Sequence, residues 1–181
     1  MIPVKVTKIS YHSESKSYAV ILKEITGEKC LPVIVGSFEA QSIALAIETV
    51  DTPRPLTHDL ICDVISGVDS ILNTVRINGL EEGVFFAQLE IESTTFGKRN
   101  IDARPSDAIA IALRMDTPIL VANKVIDEAG VLEESIEQEK PSKKKNQLSL
   151  KTLKNRMQSA IDEEEYEIAA KLRDKISRLE S

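Results

Sequence analysis

The stretch RPSDAIAIALRM, residues 104–115, sets Ala108, Ile111, Ala112 and Met115 at i, i+3, i+4 and i+7, the stripe of a helix that buries one face. Moved back by 68 positions it lies over GSFEAQSIALAI, residues 36–47, and the stripe coincides with Ala40, Ile43, Ala44 and Ile47. Further upstream VTKI at 6–9 falls on TVRI at 74–77, and Tyr18 falls on Phe86. Each helix is followed by a Thr-Pro, Thr52-Pro53 and Thr117-Pro118, where proline cannot continue a helix. The overlay implies an internally duplicated, strand-rich unit with one helix per repeat.

Around that pair of helices, β-branched or alternating runs read as strands: IPVKVTKI, SYAVILKEI, KCLPVIV, SILNTVRI, VFFAQLEI and KRNID. Turn signals at TGEK, NGLEEG and TFGK separate them. Helical spacing predicts helices over about residues 37–49, 58–68 and 105–115, the middle one bridging the two copies. The expected class is α+β for residues 1–132, followed by a flexible charged linker over 133–147 and an antiparallel helical hairpin over 148–181.

Composition narrows the classes of function. No apolar run is long enough to span a membrane, and MIPVKVTKIS lacks the apolar core and small-residue cleavage site of a secretory leader, so a cytoplasmic setting without membrane contact is expected. Cys30 and Cys62 lie far apart with no metal-ligand spacing, and read as small core residues of a reducing compartment. Residues 1–139 carry 12 Lys and Arg against 22 Asp and Glu, a net of −10, whereas residues 140–181 carry 11 against 7, a net of +4. The main domain therefore has no excess of basic residues with which to hold phosphates.

Two acidic segments exceed what loops require. In NIDARPSDA, Asp102, Arg104 and Asp107 cluster where a strand becomes a helix, and the overlay pairs Asp107 with Glu39. If Gly36 and Arg104 are the caps, both acids occupy the third helical position, where the helix dipole favours them by roughly 0.3–1 kcal/mol, and Pro105 suits the first position. In DTPRPLTHDL, prolines bracket Arg54, and Thr57 reads as the N-cap that puts His58 and Asp59 in a first turn. A helix start disfavours a charged imidazole, and a neutral His58 can accept a proton or bind a metal. His12, in the polar YHSESKS, is expected to be exposed and without a ligand role.

Pseudo-symmetric packing would gather Glu39, His58, Asp59, Asp102 and Asp107 into one cleft with Arg54 and Arg104 at its rim. Such clustered acids repel unless cations bridge them, and oxygen-rich sites suit Mg²⁺ or Mn²⁺. Glu39, Asp59, Asp102 and Asp107 are then the candidate metal ligands, and Glu39, His58, Asp59 and Asp107 the candidate catalytic set. Two such ions could clamp a phosphodiester for attack by water, with arginines holding the phosphate bidentately. No glycine-rich phosphate loop, G-x-S-x-G elbow, H-E-x-x-H or paired C-x-x-C is present.

LPVIVGSFEAQSIALAIE, PRPLTHDL and IDARPSDAIAIALR, in that order, resemble the bifunctional nuclease domain family. Its pattern falls on Gly36, Glu39, Ala40, Arg54, Pro55, Thr57, His58, Asp59, Asp102, Arg104, Pro105, Ser106, Asp107 and Arg114. The resemblance implies a duplicated α+β fold that forms dimers or larger homo-oligomers, and cleavage of DNA and RNA. Arg114 joins Arg54 and Arg104 as an expected substrate-binding residue. In the tail, EYEIAAKLRD within residues 153–180 resembles the UVR motif, the hairpin through which UvrB and UvrC associate, which implies a protein partner or self-association.

Two functions are thus expected to compete. One is a divalent-metal-dependent nuclease acting on DNA or RNA and docked through its tail. The other is a non-catalytic binding or assembly protein whose acids serve only as helix caps and internal ion pairs.

Overall fold

The computed structural model of the chain describes residues 1–12, 17–50 and 52–133. The linker and hairpin expected over 133–147 and 148–181 fall outside these residues, apart from Glu133. All six expected strands form: β1 (Ile2–His12), β2 (Ser17–Glu24), β3 (Lys29–Val35), β4 (Ser70–Glu81), β5 (Val84–Ser93) and β6 (Gly97–Ala103). So do the three helices, α1 (Ser37–Ile47), α2 (Thr57–Gly67) and α3 (Pro105–Arg114). The expected turn at NGLEEG is shorter than its composition suggested. Asn78 to Glu81 stay in β4, and the chain reverses at Glu82 and Gly83, both with positive φ (51° and 80°), the two-residue geometry that matches strand twist.

Three elements had no sequence signal: β7 (Ile119–Val121), α4 (Asn123–Ala129) and β8 (Val131–Leu132). β7 has only three residues, too few for a period to register. It forms because both of its edges are taken, antiparallel by β1 and parallel by β4. It thereby joins two antiparallel triplets into one eight-stranded sheet of order β6-β5-β4-β7-β1-β2-β3-β8. Each triplet runs into a helix that lies on the sheet, α1 after β3 and α3 after β6.

Burial alternates along β4 and β5, so one sheet face is covered while the other is partly solvated. Val20, Leu22, Leu31 and Val33 from one triplet meet Val75, Ile77, Ala87 and Leu89 from the other in a continuous core. α3 is its centrepiece, with every residue from Ala108 to Ala112 buried and with packing against α1, α2 and strands β3 to β5. α1 lies further out. Of its expected stripe Ala40 and Ile43 are buried, but Ile47, at the end of the helix, is 46% exposed. Both cysteines are free, with Cys30 buried as expected. Among the described residues no helix is long and apolar enough to cross a membrane.

The helices end before the prolines are reached. Thr49 and Asp116 adopt left-handed conformations (φ 48° each), and the next amides, of Val50 and Thr117, donate back to Leu45 and Ala112. A β-branched threonine is poorly suited to that region. Thr49→Gly should therefore raise stability by about 1 kcal/mol, against a loss of about 2–5 kcal/mol for Ile109→Ala in the core of α3. Urea unfolding midpoints of the two variants measure both effects, and a destabilised Thr49→Gly would contradict the backbone argument.

Candidate functional site

Three helix starts converge, and each carries an acid at its third position. Gly36 and Arg104 are the caps of α1 and α3, which puts Glu39 and Asp107 where the spacing predicted. The cap of α2 is Leu56 rather than Thr57, since the Asp59 carboxylate accepts the Leu56 amide at 2.8 Å and closes the first turn one residue earlier. His58 still stands in that turn.

From these starts the side chains form one continuous polar chain. Arg104 donates to both carboxylate oxygens of Asp107, at 2.8 Å from Nε and 3.1 Å from Nη2, and its Nη1 reaches Glu39 Oε1 at 3.2 Å. Asp107 Oδ1 also lies 3.1 Å from His58 Nε2. On the other side of the ring, Nδ1 lies 2.9 Å from the Ser42 hydroxyl. Glu39, Arg104, Asp107, His58 and Ser42 therefore link α1, α3, α2 and α1 again.

A second clamp sits beneath it. Arg114 Nε donates to Asp59 Oδ1 at 2.5 Å, and its Nη1 to the carbonyls of Ser42 and Ala110 at 3.2 and 3.0 Å. With its side chain only 11% exposed, Arg114 binds the three helices to one another rather than presenting its fork to a ligand. Arg54 lies exposed on the segment before α2, two residues from the groove-lining Leu56 and not itself part of the lining. Asp102 reaches the groove from β6 but pairs with neither Arg104 nor Asp107.

The groove that these residues edge is open and encloses about 950 Å³. Its lining combines the polar residues Ser42, His58, Asp107, Arg104, Glu39 and Asp102 with the apolar residues Phe38, Leu56, Leu60, Val64 and Ile101. Phe38 is 84% exposed. The expected catalytic residues Glu39, His58 and Asp107 are brought together with Arg104, while Asp59 faces Arg114. Ser42 was missed, because a lone serine on the face of an amphipathic helix carries no signal. Its spacing of three residues from Glu39 is the one clue.

The donor set does not fit a divalent ion as it stands. Asp107 is shared by Arg104 and His58, Glu39 by Arg104, and Asp59 by Arg114, so three of the four expected ligands already have a cationic or N–H partner, Asp102 being the exception. Among the described residues no group of three or more His, Cys, Asp or Glu side chains is placed to hold a metal. The repulsion between clustered acids that suggested cations is relieved by guanidinium groups instead.

Burial alone would raise the Asp107 carboxyl, but hydrogen bonds from Arg104 and His58 outweigh it and hold it below the ordinary carboxylate range. Arg114 and the Leu56 amide do the same for Asp59. A depressed acid stabilises the fold above its unfolded pKa, and that contribution disappears as pH falls through the folded value. The stability lead of wild type over Asp107→Asn should therefore be full at about pH 7 and shrink by about pH 3. Urea midpoints at the two pH values test this, and an unchanged gap would contradict it.

Comparison with known proteins agrees with the motifs gathered at this groove. The bifunctional nuclease domain matches residues 20–134, and the UvrB/uvrC motif matches residues 147–181. An uncharacterized protein of Mycobacterium tuberculosis is 41% identical over 129 residues, 71% of this chain and 76% of that protein. Bifunctional nuclease 1 of Arabidopsis thaliana is 29% identical over 184 residues, 88% of this chain and 55% of that one. Bifunctional nuclease 2 of Oryza sativa subsp. japonica is 31% identical over 121 residues, 62% of this chain and 36% of that one. The chain thus spans about half or less of these plant relatives. With its domain matched across residues 20–134, the chain belongs to the bifunctional nuclease domain family.

Proposed function

We propose that the chain hydrolyses phosphodiester bonds of DNA or RNA, with His58 as the proton-transfer group, Asp107 as its orienting partner and Arg104 as the phosphate contact at the rim. The observation that carries this reading is His58 itself. It is held between Ser42 and Asp107 at the wall of an open groove, only 15% exposed, while Arg104 beside it is 67% exposed. An imidazole with one nitrogen fixed by a carboxylate has a defined tautomer, and its other nitrogen, here beside the Ser42 hydroxyl, is the one that can exchange a proton. Family membership supports the phosphodiester as substrate, as do the names of the plant relatives.

Mg²⁺ or Mn²⁺ enters this proposal as an arm of the assay. Bound at Glu39 and Asp107, such an ion would require Arg104 to leave both acids. The domain is proposed to descend from a duplication, supported by the 68-residue overlay and by the two triplets flanking β7. The UVR motif is proposed to recruit a protein partner from a separate C-terminal module joined by a linker. Free cysteines support a cytoplasmic setting.

A second reading, assembly, has its own observation. Phe38, Leu60 and Val64 are 84%, 56% and 55% exposed in the groove's lining, an unusual concentration for a surface in water. Self-association through these residues is compatible with catalysis at the polar ones. Leu60→Asp with Val64→Asp should reduce the mass seen by light scattering to that of a single chain. An unchanged mass would remove this face from any interface.

Catalysis is tested by cleavage of labelled single-stranded RNA and DNA in Mg²⁺, Mn²⁺ or EDTA. His58→Gln should slow cleavage by about 100-fold or more, and an Asp107→Asn, Glu39→Gln double variant should do likewise while remaining folded by circular dichroism. Equal traces from wild type and a folded His58→Gln would overturn the proposal and favour the assembly reading.

A further inference from the structure

We propose that Ser42 is a nucleophile, activated by His58 and oriented through it by Asp107, which attacks an ester phosphorus in the groove and is transiently phosphorylated. The inference rests on the hydrolase reading only for the substrate; the nucleophile itself stands on the geometry of three side chains from three helices.

The direction of the hydrogen bonds follows from what each group can do. An ionised carboxylate accepts only, so the 3.1 Å contact with Asp107 requires the proton on His58 Nε2. When the ring is neutral, Nδ1 is then a bare acceptor. The Ser42 hydroxyl, 2.9 Å away, supplies the hydrogen that satisfies it. A serine inside a helix usually turns its hydroxyl back to a carbonyl of the preceding turn. Ser42 instead aims it across to α2. The result is the order nucleophile, base, orienting acid that marks activated hydroxyls, with the two ring nitrogens used in the opposite sense to the familiar serine triad.

The surroundings fit an attack. Ser42, His58 and Asp107 all line the groove, and so does Arg104, whose guanidinium can meet the charge that builds on the non-bridging oxygens. Its fork is anchored by Asp107, so its position is fixed before substrate arrives. Phe38, Leu60 and Ile101 also line the groove and give apolar surface on which a base or another flat leaving group can rest.

The step balances without a further reagent than water. Ser42 Oγ forms a bond to phosphorus as the bond from phosphorus to the leaving oxygen breaks. The hydroxyl proton passes to His58 Nδ1 and from there to solvent, while the alkoxide, leaving in line on the far side of phosphorus, takes a proton from water, giving an alcohol and a phosphoseryl ester. Water, deprotonated by the same nitrogen, attacks phosphorus and releases the Ser42 oxygen, which recovers a proton from His58.

The probe is an alkyl fluorophosphonate, in which fluoride takes the place of the leaving alcohol, incubated with the full-length chain and read by intact mass and peptide mapping. Wild type should gain one label, on Ser42. Ser42→Ala should gain none there, and His58→Gln should be labelled about 100-fold more slowly while keeping its circular dichroism spectrum. A folded wild type with no label on Ser42, or equal labelling rates in wild type and His58→Gln, overturns the proposal. Cleavage of nucleic acid kept by Ser42→Ala but lost by His58→Gln also overturns it, and leaves His58 as the base for a water molecule. Labelled Ser42 in a chain that cleaves neither RNA nor DNA upholds the nucleophile and refutes the phosphodiester reading.

Discussion

One carboxylate organises the groove. Asp107 accepts two hydrogen bonds from Arg104 and one from His58, and through these donors the starts of α1, α2 and α3 are held at fixed separations. Three helices presenting acids at their third positions to one place would push apart in isolation. Arg104 and Arg114 cancel that repulsion from opposite sides. The two arginines are not equivalent. Arg104 is largely exposed, so its ion pairs contribute more to orientation than to stability. Arg114 is largely buried, and removing either member of its pair with Asp59 would strand a desolvated charge.

That polar chain stands on an apolar base. α3 is surrounded by α1, α2 and the sheet, so Asp107 cannot drift without moving a helix whose buried alanines and isoleucines are close-packed. The backbone before it is fixed as well, because Pro105 sets the first helical residue and Arg104 is extended at the end of the β6 connection. Precision at the site thus comes from packing in the core. The domain's net charge of −10 over residues 1–139 acts in the opposite direction and offers a polyanion no long-range attraction.

Much of this arrangement was legible in the amino-acid pattern. The stripes of α1 and α3, the acids at their third positions and the six strands all have local causes, namely periodicity, β-branching and capping chemistry. What escaped had non-local causes. β7 exists because β1 and β4 each leave an edge for it, and three residues carry no period of their own. The cap of α2 moved to Leu56 because Asp59 can reach back to its amide, and hydroxyl preference gave the wrong residue. The arginines looked interchangeable in sequence, yet Arg114 is largely buried against Asp59, whereas Arg104 and Arg54 are exposed. Ser42 was hidden for a similar reason. It lies over Ala110 in the 68-residue overlay, a difference between the two aligned helices that has meaning only once His58 is seen beside it.

The account turns on the proton of His58. Nitrogen-15 NMR of the two imidazole rings, with His12→Gln to assign them, reads the tautomer directly. The hydrogen-bond chain predicts a proton on Nε2, facing Asp107, and a bare Nδ1 facing Ser42, in neutral His58. A proton on Nδ1 would contradict it, since Ser42 would then be only an acceptor and Asp107 would lose the contact that orients the ring.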